Sequence, residues 1–160
     1  MTKIKSLKKL PVSLVADFFI NKGVETGAPI SNKKLQKLLY YSQAWSMALV
    51  NKPLFKDKIE AWVHGPAIRS VYLEYRSFGF SPIRKIIPTE NIKKIIGDTK
   101  KFLEEIWRVY GKHDASYLEF LTHNETPWKE ARLGVGALDS SDKEISLDSM
   151  AEYYSKLLKK

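Results

Sequence analysis

From Leu35 onward the apolar positions keep a three-four spacing: Leu35, Leu38, Leu39, Ser42, Trp45 and Leu49 fall on one helical face. This predicts a central helix opened by Ser31, whose hydroxyl is placed to accept from a backbone amide near Lys33 or Lys34. Ile30 and Leu35 are spaced as a hydrophobic staple. Lys33, Lys34 and Lys37 lie on the opposite face and suit solvent. Pro53 ends the helix, because a proline disfavours helical geometry at the residue before it. The pattern then alternates, with Ile59, Ala61 and Val63 on one side and Glu60 and Trp62 on the other, which predicts a short strand over 58–63. His64-Gly65-Pro66 is expected to turn the chain, with Pro66 at the first position of the next helix.

The other segments fill in around this centre. A first helix is expected over 11–21, with Leu14, Val15, Phe18 and Phe19 on one side, followed by a loop over 23–29. Ile68, Val71, Tyr72 and Tyr75 share a face of a third helix over 66–78, capped by Gly79. Residues 81–87 read as a second extended segment, either an edge strand or the partner of 58–63, weakened by Pro82. Thr89 caps a long helix that ends before Gly111. Asp114 caps a short one bearing Tyr117, Leu118 and Leu121, and Thr126 caps another with Pro127 at its first position and Trp128 behind it. Ser146 caps the last, with Ile145 and Met150 as a staple, Tyr153, Tyr154, Leu157 and Leu158 docking it, and Lys159 and Lys160 near its negative dipole end. The expected fold is mainly α: a compact bundle of about seven helices with a small two-stranded β element. A basic arm over 1–10 precedes a single helical domain over 11–160.

Composition adds bounds. At 160 residues, 44% hydrophobic and 28% charged, the chain has ordinary globular values and length enough for one core. It has no cysteine, which excludes a disulfide framework, a thiolate zinc site and a cysteine nucleophile. The lysines before the apolar run 10–20 superficially copy a signal peptide, but Asp17 interrupts the run and no small-residue cleavage site follows. No run of about 20 apolar residues exists to span a membrane, and the cytoplasm is the default location. The net charge of +9 attracts acidic partners of any kind without choosing among nucleic acid, protein and lipid. Much of the lysine lies in the two tails and along helix faces, as in a solvated surface.

Catalytic signatures are missing. No phosphate-binding or dinucleotide glycine pattern is present, and no GxSxG elbow. His64, His113 and His123 sit far apart in the sequence with no metal-ligand spacing, so neither a metal nor a cofactor is expected. The first helix, its loop and the lysines opening the central helix superficially copy a helix-turn-helix. A recognition helix, however, needs a free polar face, and this one carries Leu35, Leu38, Leu39, Tyr40, Tyr41 and Trp45. Abundant tyrosine and tryptophan with no catalytic constellation favour a binding protein over an enzyme.

Four blocks in order carry a resemblance: KLQKLLYYSQAW (34–45), PLFKDKIEAWVHGP (53–66), the pair Val71-Tyr72, and THNETPW (122–128). Together they resemble the Panacea domain, also called the SocA-like antitoxin domain or phage-associated GepA-like protein, with the likeness running from about residue 12 to 132. The resemblance implies a mostly helical, non-catalytic antitoxin that neutralises a toxin protein, usually encoded by the adjacent gene, through direct contact. Delivery of the toxin to a protease is a second mechanism it allows. His64 departs from the family, where an aromatic often precedes the Gly-Pro turn. The motif residues Gln36, Tyr40, Trp45, Trp62, His64, Gly65, Pro66, Tyr72, His123, Pro127 and Trp128 are the candidate partner-binding positions, although each also has a structural reading. Gln36 is placed to bond a neighbouring backbone group, Gly65 to permit a close approach or unusual angle, and Trp128 to fold over His123. Two rivals stand beside sequestration. One is a DNA-binding regulator of its own operon, and the other is a small enzyme that would need the three histidines to converge in a cleft.

Overall fold

The computed structural model describes residues 4–159. Among them are eight α-helices, a 3-10 turn and one two-stranded sheet, arranged around the central helix α2 (Asn32–Val50). Ser31 caps α2 by accepting from the Lys34 amide at 3.2 Å, and Ile30 and Leu35 are both buried as the staple requires. The helix ends at Asn51, whose φ of 54° places it in the left-handed region that closes helices. Helices α1 (Val12–Glu25), α3 (Arg69–Tyr75), α5 (Gly97–Tyr110), α6 (Ala115–His123) and α8 (Leu147–Leu158) all touch α2, as does the sheet. Fourteen of its nineteen residues are therefore buried. Each fully buried leucine contributes roughly 2 kcal/mol of hydrophobic stabilisation, which makes this helix the keel of the core. A helix covered on all sides has no face to lay in a DNA groove, so the helix-turn-helix reading has no structural basis at α2.

Several expectations are corrected. Helix α1 continues through Gly23 to Glu25; Gly23 is buried so tightly that a Cβ there would lie 3.0 Å from the Ala28 oxygen and 3.1 Å from the Ile30 nitrogen. The long helix after Pro88 is two: α4 (Thr89–Ile92), with Pro88 rather than Thr89 at its N-cap, and α5. Gly97, at φ +59°, redirects the chain between them, which buries Ile95 and leaves Ile96 66% exposed. Helix α7 (Thr126–Ala131) starts from Glu125, one residue before the expected cap. On α8, Tyr154 is buried, but Leu157 and Leu158 are exposed rather than docked. Lys160 and the first three residues of the basic arm lie outside the described residues.

The sheet differs most. Strand β1 (Glu60–Trp62) pairs antiparallel with β2 (Gly65–Ala67), Ala61 opposite Pro66, so His64-Gly65-Pro66 continues into a hairpin and α3 begins only at Arg69. Segment 81–87 is not the partner strand. Its Ile83 amide donates to the Ile30 oxygen at 2.7 Å and Pro82 bridges Ser31, while the free edge of β1 is covered by 143–145. Gly65 explains the outcome: at φ +104° it reverses the chain within two residues, leaving β1 a nearer partner than any later segment.

Candidate functional site

The motif blocks meet where the hairpin is fastened to α2. The Gln36 Oε1 accepts from the Ile68 amide at 2.8 Å, its Nε2 donates to Asn32 Oδ1 at 3.0 Å, and Asn32 Nδ2 donates to the Tyr72 oxygen at 3.1 Å. Glutamine suits this place because one buried side chain satisfies a backbone donor and a side-chain acceptor together. Next along the helix, Lys37 threads beneath the hairpin and its Nζ donates to the Pro66 oxygen at 3.3 Å. A Cβ on Gly65 would lie 2.5 Å from Lys37 Cε, so the lysine stem would have to shift, and the φ of +104° favours glycine whatever the space. Lys37 is 2% exposed and not on a solvent face, which corrects the sequence reading. Lys34 is half-buried, its Nζ donating to the Gly111 oxygen.

The opposite side of the hairpin is held by α6 and α7. The Arg132 guanidinium, buried over the Trp128 ring, donates to the oxygens of Ala61 (2.8 Å), Gly136 (3.0 Å) and Asp139 (2.6 Å). Trp128 Nε1 donates to the Trp62 oxygen at 2.8 Å, and its ring stacks on His123 with centroids 4.0 Å apart. The fold-back of Trp128 over His123 is thus present.

Charges gather under the turn. Glu119 on α6 receives Lys33 Nζ at 2.6 Å, and His64 Nδ1 approaches the same oxygen at 3.7 Å. Burial alone would raise the Glu119 carboxyl, but the Lys33 ammonium, with His123 and His64 nearby, brings it below the usual glutamate range. Burial and the neighbouring Lys37 push His123 down against the attraction of Glu119, and its buried Nε2 has no hydrogen-bond partner. Burial drives Lys37 down to about 7, with Lys33 adding to the effect and Glu119 opposing it. His64 and His123, far apart in sequence, therefore flank one carboxylate; His113 stacks on Tyr117 instead. Among the described residues no group of three or more ligands could hold a metal ion.

In front of this fastening lies a cleft of about 1210 Å³. Asn32, Gln36 and Lys37 form its floor, the hairpin turn one wall, and Arg69, Tyr72 and Arg76 another. The Trp62 ring meets Tyr72 edge-on at 4.9 Å beneath the Arg69 guanidinium, which also binds Glu60 at 2.9 Å. Two apolar side chains stand at the rim almost wholly in water: Phe80, 95% exposed, and Leu138, 88% exposed. Gln36, Trp62, His64, Gly65 and Tyr72 line the cleft, Pro66 is buried beside it, and His123 and Trp128 support the hairpin from behind with Pro127 in the same segment.

Tyr40 and Trp45 are elsewhere. They belong to a buried aromatic cluster in which Tyr41 stacks on Tyr110 at 3.9 Å and Trp45 Nε1 donates to Tyr110 OH at 2.7 Å. Its polar centre is Glu125, accepting from Tyr41 OH at 2.7 Å and Tyr154 OH at 3.0 Å, and held above the usual carboxyl range by burial. Sequence reasoning missed Glu125, Lys37 and Arg132, and also Phe80 and Leu138. The available signals were an acid inside the THNETPW block and lone apolar residues in otherwise polar loops.

A buried keel helix, a hairpin pinned to it from both sides and an open cleft with an apolar rim define a helical protein whose motif residues serve mainly to hold one surface in shape. The chain belongs to the family Antitoxin SocA-like, Panacea domain, whose model matches residues 35–129, more than half of the chain. It is 29% identical over 135 residues to Antitoxin SocA of Caulobacter vibrioides (strain NA1000 / CB15N), an alignment that takes in 76% of this chain and 70% of that protein. No solved structure matches it. Family membership supports an antitoxin role, and with it a non-enzymatic one. No helix of the described residues is long and apolar enough to cross a membrane.

Proposed function

We propose that the protein neutralises a toxin protein by binding and sequestering it, with the cleft between the hairpin, α3 and the 138–142 loop as the contact surface. The carrying observation is the rim: Phe80 and Leu138 are nearly fully hydrated yet flank a cleft lined by family motif residues. Burying two such side chains against a partner is worth roughly 3–5 kcal/mol before association costs. Arg69 and Arg76 on the cleft wall speed encounter with an acidic patch, so association slows as salt is added.

The test is co-expression with the product of the adjacent gene. Growth arrest relieved by this protein, and co-purification of the two chains, are the expected results. Phe80→Ala with Leu138→Ala should leave the melting temperature within about 2 °C of the parent, because neither side chain packs on the core, yet weaken the complex at least tenfold. Full rescue by the double variant would remove the cleft from the proposal. Disappearance of the toxin from the cell, in place of a stable complex, would assign delivery to a protease.

A further inference from the structure

The cleft leaves unused a group of exposed lysines at another part of the molecule. Residues 4–9 have no helix or strand of their own and are laid across the start of α5: the Lys5 amide donates to Asp98 Oδ2 at 3.3 Å and the Lys8 amide to Thr99 Oγ1 at 2.9 Å. The Leu10 amide then donates to the Leu54 oxygen, which ties the segment to the body of the protein. This brings Lys5 and Lys8 to the same end of the bundle as Lys93 and Lys94, in the turn before α5, and Lys100 and Lys101, in its first turns. All six are exposed, and none takes part in any ion pair of the described residues.

Two of the nearby acids are paired with bases outside the patch, while Asp98 and the exposed Glu90 keep their charges, so the six lysines outnumber the unpaired acids beside them. The Asp98 carboxylate accepts the Lys5 amide, Glu104 pairs with Lys22 at 2.7 Å, and Glu105 pairs with Arg108. From Lys100 and Lys101 the surface continues as a groove of about 1020 Å³ along α5, a helix roughly 21 Å long, where Arg108 and Lys112 join the lining beside the paired Glu104 and Glu105. We infer that this end of the molecule is a binding surface for the phosphate backbone of nucleic acid, separate from the toxin-binding cleft and independent of that reading. Unpaired, exposed lysine ammoniums are point charges that neutralise phosphates without reading bases, and none of the six is a planar, forked donor suited to bidentate base recognition. An anionic membrane is the less favoured partner, because the exposed Ile96 stands between lysines on both sides and an interfacial anchor needs a continuous apolar stripe.

The experiment uses the full chain with a fluorescent 20-base-pair mixed-sequence duplex, read by anisotropy between about 50 and 200 mM salt. Binding should weaken with a steep log-log slope, near −0.9 for each phosphate neutralised. The quadruple variant Lys93→Gln, Lys94→Gln, Lys100→Gln and Lys101→Gln should lose at least tenfold in affinity, and its slope should fall by about 3–4. A control that makes the same charge change at Lys129, Lys143, Lys156 and Lys159 should keep most of the binding. Circular dichroism melts confirm that both variants fold, and toxin rescue by the first should match the parent. No binding at 50 mM salt, equal losses in the two variants, or tighter binding to phosphatidylserine vesicles than to DNA would each overturn the inference.

Discussion

Replacing Lys37 with methionine should stabilise this protein, by an amount that shrinks as the pH rises. Lys37 is buried beneath the hairpin with one hydrogen bond, to the Pro66 oxygen. Its ammonium is pushed from an ordinary 10.5 down to about 7. For a base, a folded value below the unfolded one means that the unfolded chain holds the proton across pH 7 to 10.5 while the folded chain gives it up. Lys37 therefore costs stability below this window, and the cost fades as pH climbs through it. At 1.36 kcal/mol per unit, the cost is about 4 kcal/mol at pH 7 and about 2 kcal/mol at pH 9. Methionine nearly matches the length of the lysine stem and carries no charge; leaving the Pro66 oxygen without its donor offsets about 1 kcal/mol at either pH. Glu119 keeps Lys33 as its partner. The net expectation is a gain of about 3 kcal/mol at pH 7 and about 1 kcal/mol at pH 9. Urea unfolding of both proteins at the two pH values measures it. The decisive quantity is the change in that difference, about 2 kcal/mol, because the lost hydrogen bond and the titration of groups elsewhere cancel from it. An equal difference at both pH values would show that Lys37 titrates normally, and the account of its burial would be wrong.

Two further perturbations probe the same scaffold. Gly65→Ala imposes a Cβ at φ +104° and 2.5 Å from Lys37 Cε, so it should cost about 2–4 kcal/mol; an unchanged thermal melt would mean the hairpin is not held as described. Glu125→Gln keeps an oxygen to accept from Tyr41 and Tyr154 but removes a carboxyl that burial holds above its usual range. In the parent, stability is lost as pH rises above the unfolded value near 4.5, so the variant's advantage should grow from there toward neutrality. A pH-independent difference in acid and neutral denaturation curves would refute the burial argument.

Much of the fold was legible because helix starts are local. Ser31, Asp114 and Ser146 each accept from the amide three residues on, as a cap does in any helix. The stripe of Leu35, Leu38, Leu39 and Trp45 announced a helix, and the empty cysteine count and absent glycine motifs narrowed the chemistry. Those features depend on neighbours within one or two turns, so residue order alone determined them. Gln36 was readable as a backbone clamp and Gly65 as a close-approach position for the same reason: each residue type has few structural uses in such a place.

Other features required the chain to be folded. A stripe shows that one face is apolar, but it does not say how many other elements will cover the rest. That is why Lys37, solvent-facing by pattern, lies under a hairpin. The hairpin partner was decided by the backbone angle at Gly65, the break before α5 by that at Gly97. The cleft joins Gln36 to Tyr72 and Leu138, and the lysine-rich end joins segments more than ninety residues apart through the Lys5 and Lys8 amides. Caps and periodicity are encoded by short-range sterics and hydrogen bonding; burial, perturbed charge and the shape of a surface arise from long-range packing, and only the tertiary structure decided them.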